Sequence, residues 1–358
     1  MGATVWFVRA SVQEPVEAIA AKIRRLFEAA EFGKLAEPGE LVAIKMHFGE
    51  KHNDTHVQPE MVWPIVQSLI ARGAKPFVTD TNVLYRSERS NAVDHLLLAH
   101  RHGFTPERVG APVLILDGLR GNQEFEVEIP GQIYRKVSLA AGLALVDVLI
   151  TVSHVTGHIA MGLGGTLKNM GMGLSSRMGK LRQHSASKPY VDQKACTGCW
   201  VCIRWCPEDA IVREGQVAWI DPDRCIGCGE CLTVCRFDAV RHDWRVESAE
   251  LQRRVAEHAL GAAISKKGKL GCFNFVLNVT KDCDCLGRKQ VPVVPDVGIL
   301  ASTDPVAIDA AALDLIREVA GAELFRFAYP HLDGREQLRH AEKIGLGTQK
   351  YELVEITA

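Results

Sequence analysis

The chain has no cysteine before Cys196 and none after Cys285, although it holds 11 in all. An odd, clustered set of this kind excludes a disulfide framework spread through the fold. Neither sign of charge is in excess: 42 basic residues stand against 43 acidic ones, a formal charge of −1. That balance excludes nucleic-acid binding driven by bulk electrostatics. No apolar run reaches the roughly 18 residues of a membrane span, and the longest candidate, Leu139 to Val152, carries Asp147. The start, MGATVWFVRASVQEP, lacks the basic head, apolar stretch and small-residue cleavage site of a secretory leader. A cytoplasmic protein is therefore expected. Coiled-coil, collagen-like and disordered classes are excluded as well, because the composition (47% apolar, 24% charged) is that of an ordinary globular protein. The length of 358 residues suggests two or three domains.

Clustered thiols in a reducing compartment point to metal. Cys196, Cys199, Cys202 and Cys206 form one C-x2-C-x2-C-x3-C group, and Cys225, Cys228, Cys231 and Cys235 form another. This is the bacterial ferredoxin spacing. Three cysteines at two-residue gaps wrap three corners of a cubane [4Fe–4S] cluster, and the fourth is directed to the other cluster. The spacing thus predicts one cluster on Cys196, Cys199, Cys202 and Cys235, and a second on Cys225, Cys228, Cys231 and Cys206. Zinc is the bland alternative, but its four-cysteine sites use C-x2-C pairs separated by a longer loop. Arg236 stands where a proline usually follows the last cysteine. It removes no ligand.

The remaining sequence alternates strand-like and helix-like runs. TVWFVR, LVAIKMH, KPFVT, Val113–Leu116 and Val148–Val152 are short and rich in strand formers. Between them lie helical spacings over Glu14–Ala30, from Pro59 to Ile70, and over Asn91–His102. A hairpin is expected around Glu124–Val137. After the cysteine segment come a helix over Ser248–Leu260, a strand over Asn274–Val279 and a helix over Pro305–Ala320. The class is α/β: an open, mostly parallel sheet domain made discontinuous by an inserted ferredoxin-like α+β domain. Residues 1–185 and 245–358 are assigned to the first and 186–244 to the second. Ligands in such sheets bind beyond the C-terminal strand ends, which nominates Lys45, His47, Asp80, Asn82, His154 and His158.

Three cysteines are left over. In KDCDC, a C-x-C pair on an extended segment places Cys283 and Cys285 on one face, with Asp284 pointing away. So polar a setting favours ligation over packing. Cys272 is a weaker candidate, more simply read as core, and His47 is another. A third metal or iron–sulfur centre is expected here, as a cluster with an open iron or as a mononuclear site completed by histidine. In VSHVTGHIAMGLGGTLKNMGMG, His154 and His158 are four apart, as on one helix face. The glycine-rich run offers backbone amides, and Lys168 and Arg177 add positive charge. Together these suit a small anionic substrate or a cofactor phosphate, although neither a Walker nor a Rossmann fingerprint is present. His154, His158 and Lys168 are the catalytic candidates. His52 and His56 are expected to be solvated loop residues. Lys180, Arg182 and Lys188 are read as a solvated linker or a dock for an acidic redox partner. Asp304 is expected to cap the helix opened by Pro305, with Asp309 in a structural role near a helix start. A flavin site needs no short signature, so flavin stays open as a further cofactor.

The stretches KMHFGE, VTDTNVLY, SHVTGHIAMGLGGTLKNMGMG, KDCDC and VGILASTDPVAIDAA together resemble the DUF362 family, in the version carrying an inserted two-cluster ferredoxin domain. The resemblance implies an α/β core whose pocket receives electrons from the inserted clusters. A more distant likeness is to the nickel-pincer lactate racemases, through the histidine-, glycine- and lysine-bearing core. The function expected is an iron–sulfur redox protein: two clusters pass electrons from a redox partner protein to a site in the α/β domain. The alternatives are an electron carrier with a partner-docking domain, or a protein that delivers metal or clusters through the C-x-C pair.

Overall fold

A computed structural model describes residues 2–184, 188–225, 229–241 and 248–357. Its main sheet has eight strands, numbered here in chain order: β1 Ala3–Arg9, β2 Leu41–Lys45, β3 Lys75–Asp80, β4 Val113–Ile115, β5 Val148–His154, β6 Leu270–Val276, β7 Gly298–Ser302 and β8 Tyr351–Glu355. The spatial order is β8-β1-β7-β6-β5-β2-β3-β4. Only β7 runs against its neighbours β1 and β6; the other pairs are parallel. The α/β class with a large, mostly parallel sheet is therefore the observed one.

Parallel strands buried on both faces need apolar residues in near-continuous runs. In β6 all seven residues, LGCFNFV, are buried. Alternate side chains serve opposite layers. Phe273 and Phe275 face the layer formed by helix α1 (Val16–Ala29) and helix α2 (Pro59–Ile70), with Ile23, Phe27, Ile65 and Leu69. Leu270, Cys272 and Val276 face the other layer, with Ala256, Ala259, Ala307 and Ile308. That second layer is built by Ser248–Ser265 and Pro305–Ala320. Asp304 caps the latter by accepting from the Val306 and Ala307 amides.

Three expectations shift. The strand expected over Asn274–Val279 begins earlier, at Leu270, and ends before Asn278, whose φ of +53° takes it out of pleated geometry. Strand β7 was hidden because its run leads straight into a helix-start signal. Strand β8, the edge strand YELVE, has no fully buried residue and no clean alternation to announce it. The hairpin around Glu124 is present, as Glu124–Glu128 paired with Lys136–Ala140.

Between Lys188 and Arg241 lies a small unit with its own core of Cys202, Ile211, Ala218, Ile220, Cys231 and Val240. Tyr190–Val191 pairs antiparallel with Val240–Arg241, bringing its two ends together. Ile211–Glu214 and Val217–Ile220 form a hairpin. The expected boundaries at 185/186 and 244/245 lie outside the described residues, as does Cys228.

Candidate functional site

A cleft of ≈ 770 Å³ opens beyond the C-terminal ends of β2, β3 and β5. Lys45, Asp80 and His154 end those strands and reach its wall. Asp80 is the electrostatic hub. Its carboxylate lies 3.0 Å from Lys45 Nζ and 2.9 Å from an Arg89 guanidinium nitrogen, and all three residues are buried. Burial alone would raise the Asp80 carboxyl, but the two cations hold it well below its ordinary value. Burial drives Lys45 down despite Asp80. Arg89 also meets His47 Nε2 at 2.7 Å and the Tyr85 hydroxyl at 3.3 Å. Asn169 accepts from Lys45 Nζ at 2.8 Å and donates to Ser153 Oγ, which fixes the lysine head.

The C-x-C segment forms a turn on the cleft wall rather than an extended strand. The Cys283 and Cys285 sulfurs are joined as a disulfide. Asp284 points away from them, into a pair with His154 Nδ1 at 2.9 Å, and accepts from Thr55 Oγ1. His154 Nε2 is also taken, by the Leu277 carbonyl at 2.9 Å. Burial lowers a histidine, but the Asp284 charge and the hydrogen bonds to Asp284 and the Leu277 carbonyl together outweigh it, and His154 is raised. Lys168 Nζ stands 3.5 Å from Cys283 Sγ, and burial pushes that ammonium down to about 8. A His158 ring nitrogen lies within 4.8 Å of both sulfurs. Gly157 makes the close approach of this turn feasible: a Cβ there would sit 2.2 Å from the Lys281 carbonyl oxygen.

The amides at the start of the short helix Thr166–Gly171 do not face the cleft as an anion cradle. Asp309, from the helix Pro305–Ala320, accepts from the Thr166 amide at 2.8 Å and the Leu167 amide at 2.9 Å, and from Asn274 Nδ2 at 2.7 Å. Its structural role is thus capping in trans. Burial raises this carboxyl to about 6. Asp309→Ala leaves three buried donors without their acceptor, so a loss of about 3 kcal/mol is expected, read as a lower urea midpoint at unchanged slope.

A family model described as "Domain of unknown function (DUF362)" matches residues 42–314. The chain belongs to the DUF362 family. No curated protein matches it. A crystal structure of a Thermotoga maritima protein aligns at a TM-score of 0.43 and 10% identity, over 86% of this chain and 58% of that one. The DUF362 chain thus spans less than two thirds of that protein. The lactate racemase apoprotein of Thermoanaerobacterium thermosaccharolyticum aligns at 0.41 and 9% identity, over 99% of this chain and 83% of that one.

In this DUF362 protein the seven quartet cysteines among the described residues are not grouped by sequence order. Cys196, Cys199, Cys202 and Cys235 line one small cavity. Cys206, Cys225 and Cys231 line another. Backbone amides reach the sulfurs: Ala218 N–H donates to Cys196 Sγ at 3.5 Å and Ala210 N–H to Cys206 Sγ at 3.2 Å. These donors suit a thiolate-bound group whose charge must be held.

The other expected residues divide. Cys283, Cys285, His158, Lys168, His154 and His47 all line the cleft. Cys272 does not join them: it is buried in the core on β6, where burial pushes its thiol strongly up. His47 faces Arg89 rather than the sulfurs. His154 and His158 end short strands, Val148–His154 and Thr156–His158, and share no helix face. His56 is buried and stacks on His102, contrary to the solvated expectation; burial takes it down to about 4. Lys180 and Arg182 are no linker, since both lie on the helix Arg177–His184. Lys180 is buried against Thr81 Oγ1 at 2.8 Å, and Arg182 meets Ser138 Oγ at 3.0 Å. Arg89 and Tyr85 were missed, because a loop reading YRSERSN has no period to announce what it faces.

Proposed function

We propose that this protein is an iron–sulfur redox enzyme that feeds electrons to a small anionic substrate in the cleft. Two [4Fe–4S] clusters would be held by Cys196, Cys199, Cys202 and Cys235, and by Cys225, Cys228, Cys231 and Cys206. The grouping of thiols into two cavities carries the proposal: Cys206 leaves its sequence neighbours for the second cavity and Cys235 leaves its own for the first. When bound, such clusters supply one-electron transfer at potentials set by their surroundings. The amides of Ala210 and Ala218 stabilise the more negative state of the thiolate shell. Trp205 and Phe237, 55% and 47% exposed, flank Cys206 and Cys235 and offer apolar contact to a redox partner protein. Among the described residues no helix is long and apolar enough to cross a membrane.

The cleft supports the substrate's sign. Lys45, Arg89, Lys168 and Lys180 line it, against Asp80 and Asp284; Lys45 and Arg89 share Asp80 and Asp284 pairs with His154, so Lys168 and Lys180 give the cleft its positive sign. Burial lowers Lys180 to about 8, with Asp117 and Asp80 favouring its charge and Lys45 and Arg89 opposing it. Its charge is present below that pH and lost above it. Affinity for malonate, as a probe dianion, should fall as pH rises through about 8, where Lys168 and Lys180 both lose their charge, and Lys180→Met should shrink that step in calorimetric titration while Lys168 keeps the remainder. The folded value lies below the ordinary 10.5, so the same lysine makes the fold more stable as pH rises from about 8 to about 10.5.

Anaerobic purification with iron and sulfide analysis tests the proposal. About eight of each per chain, with paramagnetic signals on reduction, is expected. Folded, colourless, iron-free protein would end it.

A further inference from the structure

We propose that Cys283 and Cys285 form a redox-active dithiol–disulfide couple that collects an electron pair, one electron from each cluster, at the cleft wall. This rests on the cluster proposal and goes beyond it by naming where the electrons arrive.

The local chemistry favours a couple over a third metal centre. The two sulfurs are already bonded to each other, and a disulfide has no thiolate to offer a metal. His158 is the imidazole near them, but its Nδ1 accepts from the Ala160 and Met161 amides, both at 3.1 Å. A neutral ring with Nδ1 as acceptor carries its proton on Nε2, so neither nitrogen has a lone pair left for a metal. That Nε2–H is a donor suited to a sulfur anion. Cys272 and His47, which a metal site would recruit, are turned elsewhere.

Lys168 supplies what a reduced pair needs. Its ammonium at 3.5 Å from Cys283 Sγ favours the thiolate over the thiol at that sulfur. The turn itself is clamped on both sides. Asp284 is tied to His154 and Thr55, and its carbonyl accepts from the Glu50 amide at 2.9 Å. Asp282 holds Arg288 at 2.8 Å and the Tyr329 hydroxyl. Opening the S–S bond therefore leaves both sulfurs in place to close again.

The turn also touches the element that meets the cysteine-rich unit. Tyr85 donates its hydroxyl to the Cys285 carbonyl at 3.3 Å. The next residue, Arg86, pairs at 3.0 Å with Asp238, three positions after Cys235. That ion pair is exposed and contributes little energy, but it places the first thiol cavity's chain against the turn's neighbour. Two one-electron donors match one two-electron acceptor. On reduction the S–S bond would break with uptake of two electrons, one from each cluster that the two quartets would hold; Cys283 would leave as thiolate beside Lys168, and Cys285 would take one proton from cleft water.

The test uses holoprotein purified anaerobically with its iron and sulfide already counted. It is titrated with dithionite and quenched in acid with N-ethylmaleimide, and the peptide holding residues 283 and 285 is read by mass spectrometry. No label before reduction and two labels after it are expected, appearing in a single two-electron transition. Uptake should be about four electrons per chain, against about two for the Cys283→Ser/Cys285→Ser variant with the same iron content. Two labels before reduction, uptake unchanged in the variant, or a metal beyond the cluster iron that must be chelated before labelling would each overturn the couple. Labelling of the unmodified chain decides the matter even where the variant folds poorly. The iron count separates the two ideas: an iron-free chain sinks the cluster proposal and this one with it, whereas an iron-loaded chain with inert sulfurs at 283 and 285 sinks only the couple.

Discussion

The Cys206→Ser variant is expected to lose iron from the cavity of the second quartet, not from that of its own. Cys206 lies beside Cys202 in sequence, yet it lines the cavity with Cys225 and Cys231. Cys235 is the mirror case, lining the cavity with Cys196, Cys199 and Cys202. A serine hydroxyl is a harder and weaker ligand than thiolate for iron in a sulfide cluster. Iron should fall from about eight to about four per chain in either single variant. The paramagnetic signal left by Cys206→Ser should match that left by Cys225→Ser, and the signal left by Cys235→Ser should match that left by Cys199→Ser. If Cys206→Ser instead matches Cys199→Ser, the interleaving is wrong.

The second large effect is on stability. Asp80 is 2% exposed and is the anion shared by Lys45 and Arg89, with His95 Nε2 at 3.5 Å and the Thr81 amide at 2.8 Å. Removing one partner of a buried ionic network leaves uncompensated charge and costs about 3–5 kcal/mol. Asp80→Ala should therefore show a urea midpoint lowered by that amount at unchanged slope. A loss under about 1 kcal/mol would mean that Lys45 and Arg89 find adequate partners without it. The acid limb gives an independent reading. Because its carboxyl is held below the ordinary 3.8, Asp80 contributes stability that is present above that value and lost as pH falls through the folded one. Acid unfolding of Asp80→Ala should accordingly be less steep than that of the parent.

Local patterns made much of this readable. The strand runs of β2, β3 and β5 and the helix-start chemistry at Pro59 and Asp304 depend on nearest neighbours in sequence, so period and capping expose them. Asn91, counted by spacing within its helical run, stands just before it and caps it by accepting from the Val93 and Asp94 amides. Lys45, Asp80 and His154 could be nominated because a strand's end is local information, and position at that end places a side chain over the sheet's rim. The histidines His154 and His158 were read at the wrong period, since four-residue spacing looks helical whether or not a chain reverses direction between two short strands. His56 and Lys180 look solvated in sequence because polarity there says nothing of what folds over a residue.

The sequence by itself determined the α/β alternation, the two repeated cysteine quartets, the odd C-x-C pair and the family, for these are matters of spacing and order along the chain. Only the tertiary structure decided that Asp309 caps a helix in another segment, that Arg89 and Lys45 share one carboxylate, and that Lys168 stands beside Cys283. Those contacts join residues 35 to 143 positions apart, or bring a loop with no period over a strand end. A buried charge must find its partner in space, and nothing in the local pattern of either partner fixes which one that is.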